Sequence, residues 1–439
     1  MPLIILACGI VLLFCLVILV KLNGFLSLLL AALFVGLLQG MDFLAIVTSI
    51  EAGLGGTLGH LGLIIALGAI LGKLLSDGGG AQRIATTFIN TFGEKHVEWG
   101  MCMAAFVLGA ILFWEVSFVL LLPIVYTVAM EARVRLLRVA IPFVMSITIA
   151  HCFLPPHPGP VAIAGIFNAN LGLVLFYGLL VSIPAAVIFG PGVAKLYKWD
   201  VEIPHNLATR TDFKEEEMPG FGISLLTALA PVFLILIGVV VQFIMPKGFF
   251  VTNVLRFIGH ADIAMLLAVL MALYVFGTRG QKRTIGQQMK SVEAGLMSMG
   301  AILFVIGGGG AFKQVILDSG IDKYIAQVTS MWAISPLVLG WLVTVCIRFC
   351  VGSATVTVLT ASAIVLPIQQ ASGASPELMV LAIATASIFG GPPNDAAFWM
   401  VKEYFNLSIT QTVKFWSVQA SLLAIFGLLG VLSLNMILF

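Results

Sequence analysis

The sequence predicts an all-α polytopic membrane protein built from two inverted-topology repeats. Hydrophobic residues make up 60% of the 439 positions and charged residues only 10%, whereas soluble proteins carry about 25% charged residues. Apolar runs long enough to cross a bilayer recur along the whole chain. Two of these runs, near residues 153–160 and 388–399, are interrupted by prolines and glycines at corresponding places in the two halves.

Composition also excludes several classes of protein. The formal net charge of +2 argues against nucleic-acid binding. The six cysteines lie in apolar segments and form no Cys-x-x-Cys pair, so we expect no disulfide framework, no metal site and no cofactor. No nucleophile–base pair is found at a fixed spacing, so we do not expect an enzyme. The opening run, Leu3 to Val20, lacks the basic start and cleavage site of a signal peptide and is expected to remain as a first helix.

Residues 1–194 form the first predicted repeat, with about five crossing helices. Its predicted elements are helices near 3–20, 24–40 and 55–75, an amphipathic segment at 80–92, a re-entrant hairpin at 99–130, a broken helix at 139–168 and a last helix at 171–194. The hairpin is predicted because Trp114-Glu115-Val116-Ser117 interrupts its apolar stretch. The most charged stretch, 195–219, is predicted to be a cytoplasmic linker.

Residues 220–439 repeat this plan. The predicted elements are helices near 221–245, 261–277 and 291–311, an amphipathic segment at 313–330, a re-entrant hairpin at 335–370, a broken helix at 377–400 and a last helix at 413–437. Matching residues stand at one constant offset: Asp77, Gly79, Ile84 and Ala85 correspond to Asp318, Gly320, Ile325 and Ala326. Several features in the same order indicate an internal duplication.

The charges of equivalent loops indicate that the repeats are inverted. Loop 279–290 carries four basic residues and no acid, whereas its counterpart 41–53 carries only acids. Loop 131–138 carries three arginines against one acid, and its counterpart 371–378 carries only Glu377. Because short cytoplasmic loops are rich in Lys and Arg, equivalent loops of opposite charge should lie on opposite sides of the membrane. This arrangement places both chain ends outside.

Motifs along the whole chain resemble the gluconate permease (gluconate:proton symporter) family. They are Asn23-Gly-Phe-Leu26, Gly55-Gly-Thr-Leu-Gly59, Phe113-Trp-Glu-Val-Ser-Phe-Val-Leu-Leu-Leu-Pro123, Leu154-Pro-Pro-His-Pro-Gly-Pro160, Gly307-Gly-Gly-Gly-Ala-Phe-Lys-Gln-Val315, Gly352-Ser-Ala-Thr-Val356, and Asn394-Asp395 followed by Phe398-Trp399. The resemblance implies a bacterial inner-membrane carrier of the ion-transporter superfamily, with inverted repeats, two re-entrant hairpins, a scaffold that often dimerises, and elevator-type movement.

The chain departs from this family in its second break. Gluconate-type members carry Ser-His-Val before Asn-Asp, where this chain has Gly391-Pro392-Pro393, and Ala396-Ala397 replace the usual small residue and glycine. An imidazole that could bind substrate or carry a proton is therefore missing there. The first break keeps His157-Pro158-Gly159-Pro160, which resembles sugar-acid members more than the D-serine branch.

The two breaks, with the hairpin tips facing them, form the predicted substrate site. A half-helix N-terminus presents free N–H groups and about half a positive charge, which suits a carboxylate. The predicted substrate-binding residues are Glu115, Ser117, Pro156, His157, Gly159, Gly352, Ser353, Thr355, Asn394 and Asp395. The candidates for carrying a coupled proton are Asp395, Glu115 and His157, and Arg348 is a candidate partner for the substrate carboxylate.

Structural interpretations of these residues stay open. Glu115 could be an acid exposed to a water-filled cavity, Asp395 a helix N-cap, and Arg348 a partner of a nearby acid. His151 is interpreted as structural. The four glycines at 307–310 follow no strand and precede no Gly-Lys-Ser/Thr, so they indicate close helix packing and not a phosphate loop.

The functional hypothesis is a secondary active symporter that imports gluconate or a related sugar acid or hydroxy-monocarboxylate with protons. Its expected partners are this small anion, protons and, from the resemblance, a second copy of the chain. The alternatives are a D-serine or other amino-acid carrier and a sodium-coupled organic-anion carrier of the same fold. A passive channel fits less well, because paired broken helices suit alternating access.

Overall fold

The computed structural model describes residues 2–197, 199, 201, 213–244, 249–280, 283–321, 334–351, 353–393 and 395–438, and in these residues it contains helices and no strands. The helices are α1 (Pro2–Phe14), α2 (Gly24–Leu38), α3 (Phe43–Asp77), α4 (Gly80–Phe92), α5 (Val97–Gly109), α6 (Trp114–Glu131), α7 (Leu136–Phe153), α8 (Pro158–Ile166), α9 (Leu171–Val187), α10 (Phe221–Ile244), α11 (Phe250–Ile258), α12 (Ala261–Ala272), α13 (Ile285–Asp318), α14 (Pro336–Val351), α15 (Ala354–Ser372), α16 (Pro376–Ala386), α17 (Ala396–Tyr404) and α18 (Ile409–Leu438). This composition confirms the predicted all-α class.

Many of these helices have the length and composition of membrane spans. Within the described residues, seven helices are long and apolar enough to cross a bilayer, or up to nine if each of two bent pairs counts as one span. The bend is 43° within α3, between Gly59 and Leu61, and 68° between α11 and α12. Large apolar side chains remain exposed along several of these helices, as contact with lipid requires. The prediction of a polytopic membrane protein is therefore confirmed.

Both predicted broken helices are interrupted at their prolines. Helix α7 ends at Phe153, and α8 begins at Pro158, which occupies a first-turn position where the missing N–H breaks no helical hydrogen bond. Helix α16 ends well before α17, which starts at Ala396. Between them Gly390 and Gly391 adopt φ values of 78° and 39°, a region that side chains disfavour. Local proline and glycine chemistry thus determines where the helices stop and restart.

Two helix pairs occupy the predicted hairpin stretches. The first pair, α5 and α6, is interrupted at 110–113, slightly before the predicted tip, so that Trp114 to Ser117 form the first turn of α6. In the second pair, α14 and α15, Ser353 is the N-cap of α15 and accepts a hydrogen bond from Val356 N at 3.5 Å. Their re-entrant character stays a prediction.

The structure corrects several predicted helix bounds. Helix α3 begins at Phe43 and not near 55, because the Asp42 side chain caps it by accepting from Leu44 N (3.0 Å) and Ala45 N (3.3 Å). Helix α13 extends beyond the predicted 291–311 at both ends and takes up the start of the expected amphipathic segment. Helix α11 was not predicted. Of the rest of the expected segment, residues 322–330 lie outside the described residues.

Helices α3 and α13 run antiparallel and are joined by two equivalent hydrogen bonds. Ser49 near the start of α3 donates to Asp318 Oδ2 at the end of α13, at 2.6 Å. Ser291 near the start of α13 donates to Asp77 Oδ2 at the end of α3, at 2.8 Å. Asp77 and Asp318 are also corresponding residues in the internal sequence match. The two helices that carry these matching residues therefore point in opposite directions.

Glycines allow these two helices to approach closely. A Cβ on Gly310 would lie 2.1 Å from Thr57 Oγ1 and 2.5 Å from the Gly53 carbonyl oxygen. A Cβ on Gly307 would lie 3.2 Å from the side chains of Leu54 and Leu58. These contacts confirm that the glycines at 307–310 serve helix packing.

Arg83 on α4 binds the C-terminal part of the linker, residues 213–219. Its guanidinium donates to the carbonyl oxygens of Pro219 (2.8 Å) and Glu215 (2.7 Å). The neighbouring Gln82 Nε2 donates to the Phe213 carbonyl oxygen at 3.1 Å. The linker residues 198, 200 and 202–212 lie outside the described residues.

Candidate functional site

A cavity of about 310 Å³ lies where the second break, the end of α7 and both hairpin pairs meet. Its lining residues are Trp114, Glu115, Thr148, His151, Cys152, Arg348, Ser353, Ala354, Thr355, Ile388, Asp395, Ala396, Ala397 and Trp416. At about 30 Å³ for each water molecule, this volume holds a solute of roughly ten water-sized groups. It is large enough for a small organic ion.

Three helix N-termini line this cavity. The first turn of α6 contributes Trp114 and Glu115, and the start of α15 contributes Ser353 to Thr355. The start of α17 contributes Asp395, whose side chain caps the helix by accepting from Ala397 N at 3.0 Å. Each N-terminus carries unpaired backbone N–H groups and a partial positive charge. Their convergence favours an anion in the cavity.

Arg348 and Asp395 form an ion pair in the wall of the cavity. Arg348 Nη2 contacts Asp395 Oδ2, and the Arg348 side chain is only 1% exposed. The other guanidinium nitrogens, Nε and Nη1, are buried and have no hydrogen-bond partner among the described residues. A guanidinium presents five N–H donors in a planar fork that matches a carboxylate. One carboxylate therefore neutralises Arg348 but leaves part of its donor capacity unused.

Two further cavity residues carry unpaired nitrogens. His151 Nδ1 in the last turn of α7 and Trp416 Nε1 on α18 are buried and have no partner in the described part of the chain. Trp114 differs, because its Nε1 donates to Thr148 Oγ1 at 2.9 Å. That hydroxyl in turn donates to the Val144 carbonyl oxygen at 2.7 Å. The cavity wall thus contains both satisfied and unsatisfied polar groups.

The structure brings together about half of the predicted site residues. Those lining the cavity are Glu115, Arg348, Ser353, Thr355 and Asp395. Four others lie near it but outside its lining: Ser117, Pro156, His157 and Gly159. Gly352 and Asn394 lie outside the described residues.

The residues that miss the lining are engaged elsewhere. Ser117 is buried and donates to the Leu112 carbonyl oxygen at 3.4 Å. His157 is 3% exposed, and its Nε2 contacts the Gly109 carbonyl oxygen. Gly159 packs near Val358. These contacts stabilise the segment around the first break.

Sequence reasoning missed four polar lining residues: Thr148, His151, Cys152 and Trp416. A signal for three of them exists, since Thr148, His151 and Cys152 have i, i+3, i+4 spacing and share one face of α7. Trp416 offers no such signal, because its apolar surroundings in α18 resemble any membrane helix.

Another cavity, of about 330 Å³, lies near the α8–α9 and α11–α12 connections and includes Arg256, His260 and Asp262. It lacks the helix breaks and the hairpin starts. In the described residues no group of three or more His, Cys, Asp or Glu side chains is arranged to hold a metal ion.

Comparison with known proteins places this chain in a family. The sequence profile described as GntP family permease matches residues 1–437. The high-affinity gluconate transporter of Escherichia coli K12 is 47% identical over 439 residues, covering all of both chains. The chain belongs to the GntP permease family. The Gnt-II system L-idonate transporter of the same organism is 44% identical over the full length of both chains, and a gluconate permease of Bacillus subtilis 168 is 42% identical, also over both full lengths.

Solved structures show that this GntP-family permease has a transporter fold. The YdaH transporter of Alcanivorax borkumensis matches with a TM-score of 0.69 at 15% identity, covering 94% of this chain and 98% of that one. MtrF of Neisseria gonorrhoeae, of a class of antimetabolite efflux pumps, matches with a TM-score of 0.62 at 14% identity, covering 95% of each chain. Its family and its full-length relatives, named as transporters and permeases, make the chain a multi-pass membrane transporter and not an enzyme.

Proposed function

We propose that this permease is a secondary active transporter that carries gluconate or a related sugar acid across the bacterial inner membrane together with protons. The observation that carries the proposal is Arg348 in the wall of a cavity lined by three helix N-termini: its buried Nε and Nη1 have no hydrogen-bond partner among the described residues. A buried cation with free donors requires an acceptor, and a carboxylate fits its planar fork. The names of the full-length relatives, gluconate and L-idonate transporters, support this substrate class.

The rest of the cavity suits a hydroxylated chain. The Ser353 and Thr355 hydroxyls both line it and can each donate and accept a hydrogen bond. Asn394, outside the described residues, stays a predicted hydroxyl partner. In this proposal the substrate carboxylate binds at Arg348, and its hydroxyls extend along the start of α15.

Charge balance provides the reason for proton coupling. The cavity contains two carboxylates, Glu115 and Asp395, and one guanidinium, Arg348. Because Asp395 is paired with Arg348, Glu115 is the acid without an ion-pair partner among the described residues. An incoming anion would meet this negative charge in the same cavity, and like charges at close range repel. Protonation of Glu115 removes that repulsion, so anion and proton bind together.

The proposed architecture follows the sequence repeats. Residues 1–194 and 220–439 are two oppositely oriented repeats joined by the cytoplasmic linker 195–219, each with a re-entrant hairpin and a broken helix. The antiparallel α3–α13 pair supports this orientation. Elevator-type movement of the cavity against a dimerising scaffold, with a second copy of the chain as partner, completes the proposal.

Uptake by the purified permease in proteoliposomes tests this function. The panel contains gluconate, L-idonate, galactonate, glycerate and D-serine, each with an inward proton gradient and with or without sodium. We expect gluconate or another sugar acid to accumulate when the proton gradient is present, independently of sodium. Accumulation of D-serine alone, or a strict sodium requirement, would establish one of the alternative carriers. Trans-stimulated counterflow separates a carrier from a channel.

A further inference from the structure

The imidazole of His151 lies in the wall of the cavity. It lies in the last turn of α7, immediately before the first break. Its Nδ1 is buried and has no hydrogen-bond partner among the described residues. Buried polar atoms in folded proteins are nearly always paired, so the His151 ring makes fewer hydrogen bonds within the described residues than it can. The residue itself lines the cavity, so a ligand there can contact the imidazole.

Aromatic rings hold this imidazole in place. The His151 ring centroid lies 4.3 Å from that of His157, and the Phe113 ring approaches both imidazoles edge-on, at 6.4 Å and 6.2 Å. His157 is itself fixed by the contact between its Nε2 and the Gly109 carbonyl oxygen. The position of the His151 ring in the cavity wall is thus set by packing. Such pre-organisation lowers the entropic cost of binding.

The chemistry of imidazole selects the kind of partner. The Nδ1 atom donates in one tautomer and accepts in the other. A hydroxyl group can also do both, so it can pair with either tautomer. Arg348 and the helix N-termini, in contrast, recognise negative charge and would bind any small carboxylate. Selection for a hydroxylated acid therefore needs residues other than Arg348, and besides the Ser353 and Thr355 hydroxyls the cavity wall offers the His151 imidazole.

We propose that His151, beside Ser353 and Thr355, selects polyhydroxy acids over simple carboxylates by hydrogen bonding a substrate hydroxyl through its imidazole. This inference rests on the proposed function. A site built to bond a hydroxyl rejects an analogue that lacks it, because the buried polar atom is then left unpaired. His151, just before the first break, thereby supplies the cavity with an imidazole. The second break, 389–395, contains no histidine.

The test compares gluconate with hexanoate, which has the same number of carbons and no hydroxyls. Both are measured as competitors of labelled gluconate binding to the purified wild-type protein and to the His151→Phe and His151→Gln variants. We expect His151→Phe to reduce the preference for gluconate by about 10- to 100-fold, through weaker gluconate binding and unchanged hexanoate binding. His151→Gln should retain part of the preference, because an amide still donates and accepts.

The matched control is His96→Phe, since His96 is exposed and distant in sequence from every lining residue. It should keep the wild-type preference. A wild-type gluconate-to-hexanoate ratio in His151→Phe overturns the proposal. If that variant does not fold, His151→Ala decides by the same ratio. Wild-type protein that binds neither acid would instead contradict the proposed function, independently of His151.

Discussion

Glu115 and Asp395 line the same cavity at the N-termini of different helices, α6 and α17, yet only Asp395 has an ion-pair partner among the described residues, Arg348. Each carboxylate lies where a helix dipole favours negative charge. The two acids are therefore expected to have separate tasks: Asp395 holds the guanidinium in position, and Glu115 responds to the arrival of an anion.

Substitution of Arg348 tests the carboxylate partner. We expect Arg348→Lys to raise the KM for gluconate by about 10- to 100-fold, because an ammonium keeps the charge but loses the two-pronged geometry. Initial rates of uptake in proteoliposomes measure this change. Arg256→Lys, in the other cavity, should leave the KM unchanged. An unchanged KM in Arg348→Lys would remove the guanidinium from substrate binding.

Substitution of the two acids separates coupling from binding. Glu115→Gln mimics the protonated acid, so gluconate counterflow should continue while accumulation driven by a proton gradient is lost. Asp395→Asn should abolish both activities, because it leaves the buried Arg348 without a counter-charge. Both assays use the same liposomes. Unchanged accumulation in Asp395→Asn would exclude Asp395 from the transport mechanism, and proton-driven accumulation in Glu115→Gln would exclude Glu115 from coupling.

The α3–α13 contact is tested by adding one methyl group. Gly310→Ala should destabilise the protein by about 1–3 kcal/mol, because the Cβ would meet Thr57 Oγ1 and the Gly53 carbonyl oxygen. Gly300→Ala on the same helix is the matched control, since no neighbouring atom lies within 4 Å of its Cβ. Thermal unfolding in detergent should show a lower Tm for the first variant only. Equal Tm values would contradict close packing at Gly310.

The inverted repeats predict opposite exposure of two helix starts. Asp42 caps α3, and Gln287 lies in the first turn of α13, which runs antiparallel to α3. In a cysteine-free background, Asp42→Cys and Gln287→Cys should react with a membrane-impermeant maleimide from opposite sides of the membrane. Labelling of both from the same side would reject the inverted topology.

Local chemistry explains which parts of the fold were predictable. Pro158 and the glycines before Asp395 disrupt helices by their own backbone preferences, so both breaks could be located from sequence. The start of α3 was predicted too late, because residues 41–53 were interpreted as an acidic loop between helices. The role of Gly53 within this helix depends on Gly310, a partner distant in sequence, which no local pattern indicates.

The same distinction applies to the site. Glu115, Arg348 and Asp395 could be predicted because a charge within an apolar run is costly wherever the chain folds. Trp416 contributes one N–H from an apolar helix, and only tertiary packing places it beside the cavity. His157 was preferred over His151 because it lies inside the break. The structure turns His157 towards the Gly109 carbonyl and leaves His151 at the cavity.

The contacts of Arg83 bear on how the two halves stay associated. Its guanidinium donates to the carbonyl oxygens of Glu215 and Pro219, which lie at the C-terminal end of the linker. A chain severed between Trp199 and Phe213 would therefore keep its second piece attached to the first without a peptide bond. Because this anchor consists mainly of hydrogen bonds to main-chain atoms, with one long ion pair to Glu215 Oε1 at 3.5 Å, side-chain substitutions along the linker should be tolerated where Arg83 itself is not.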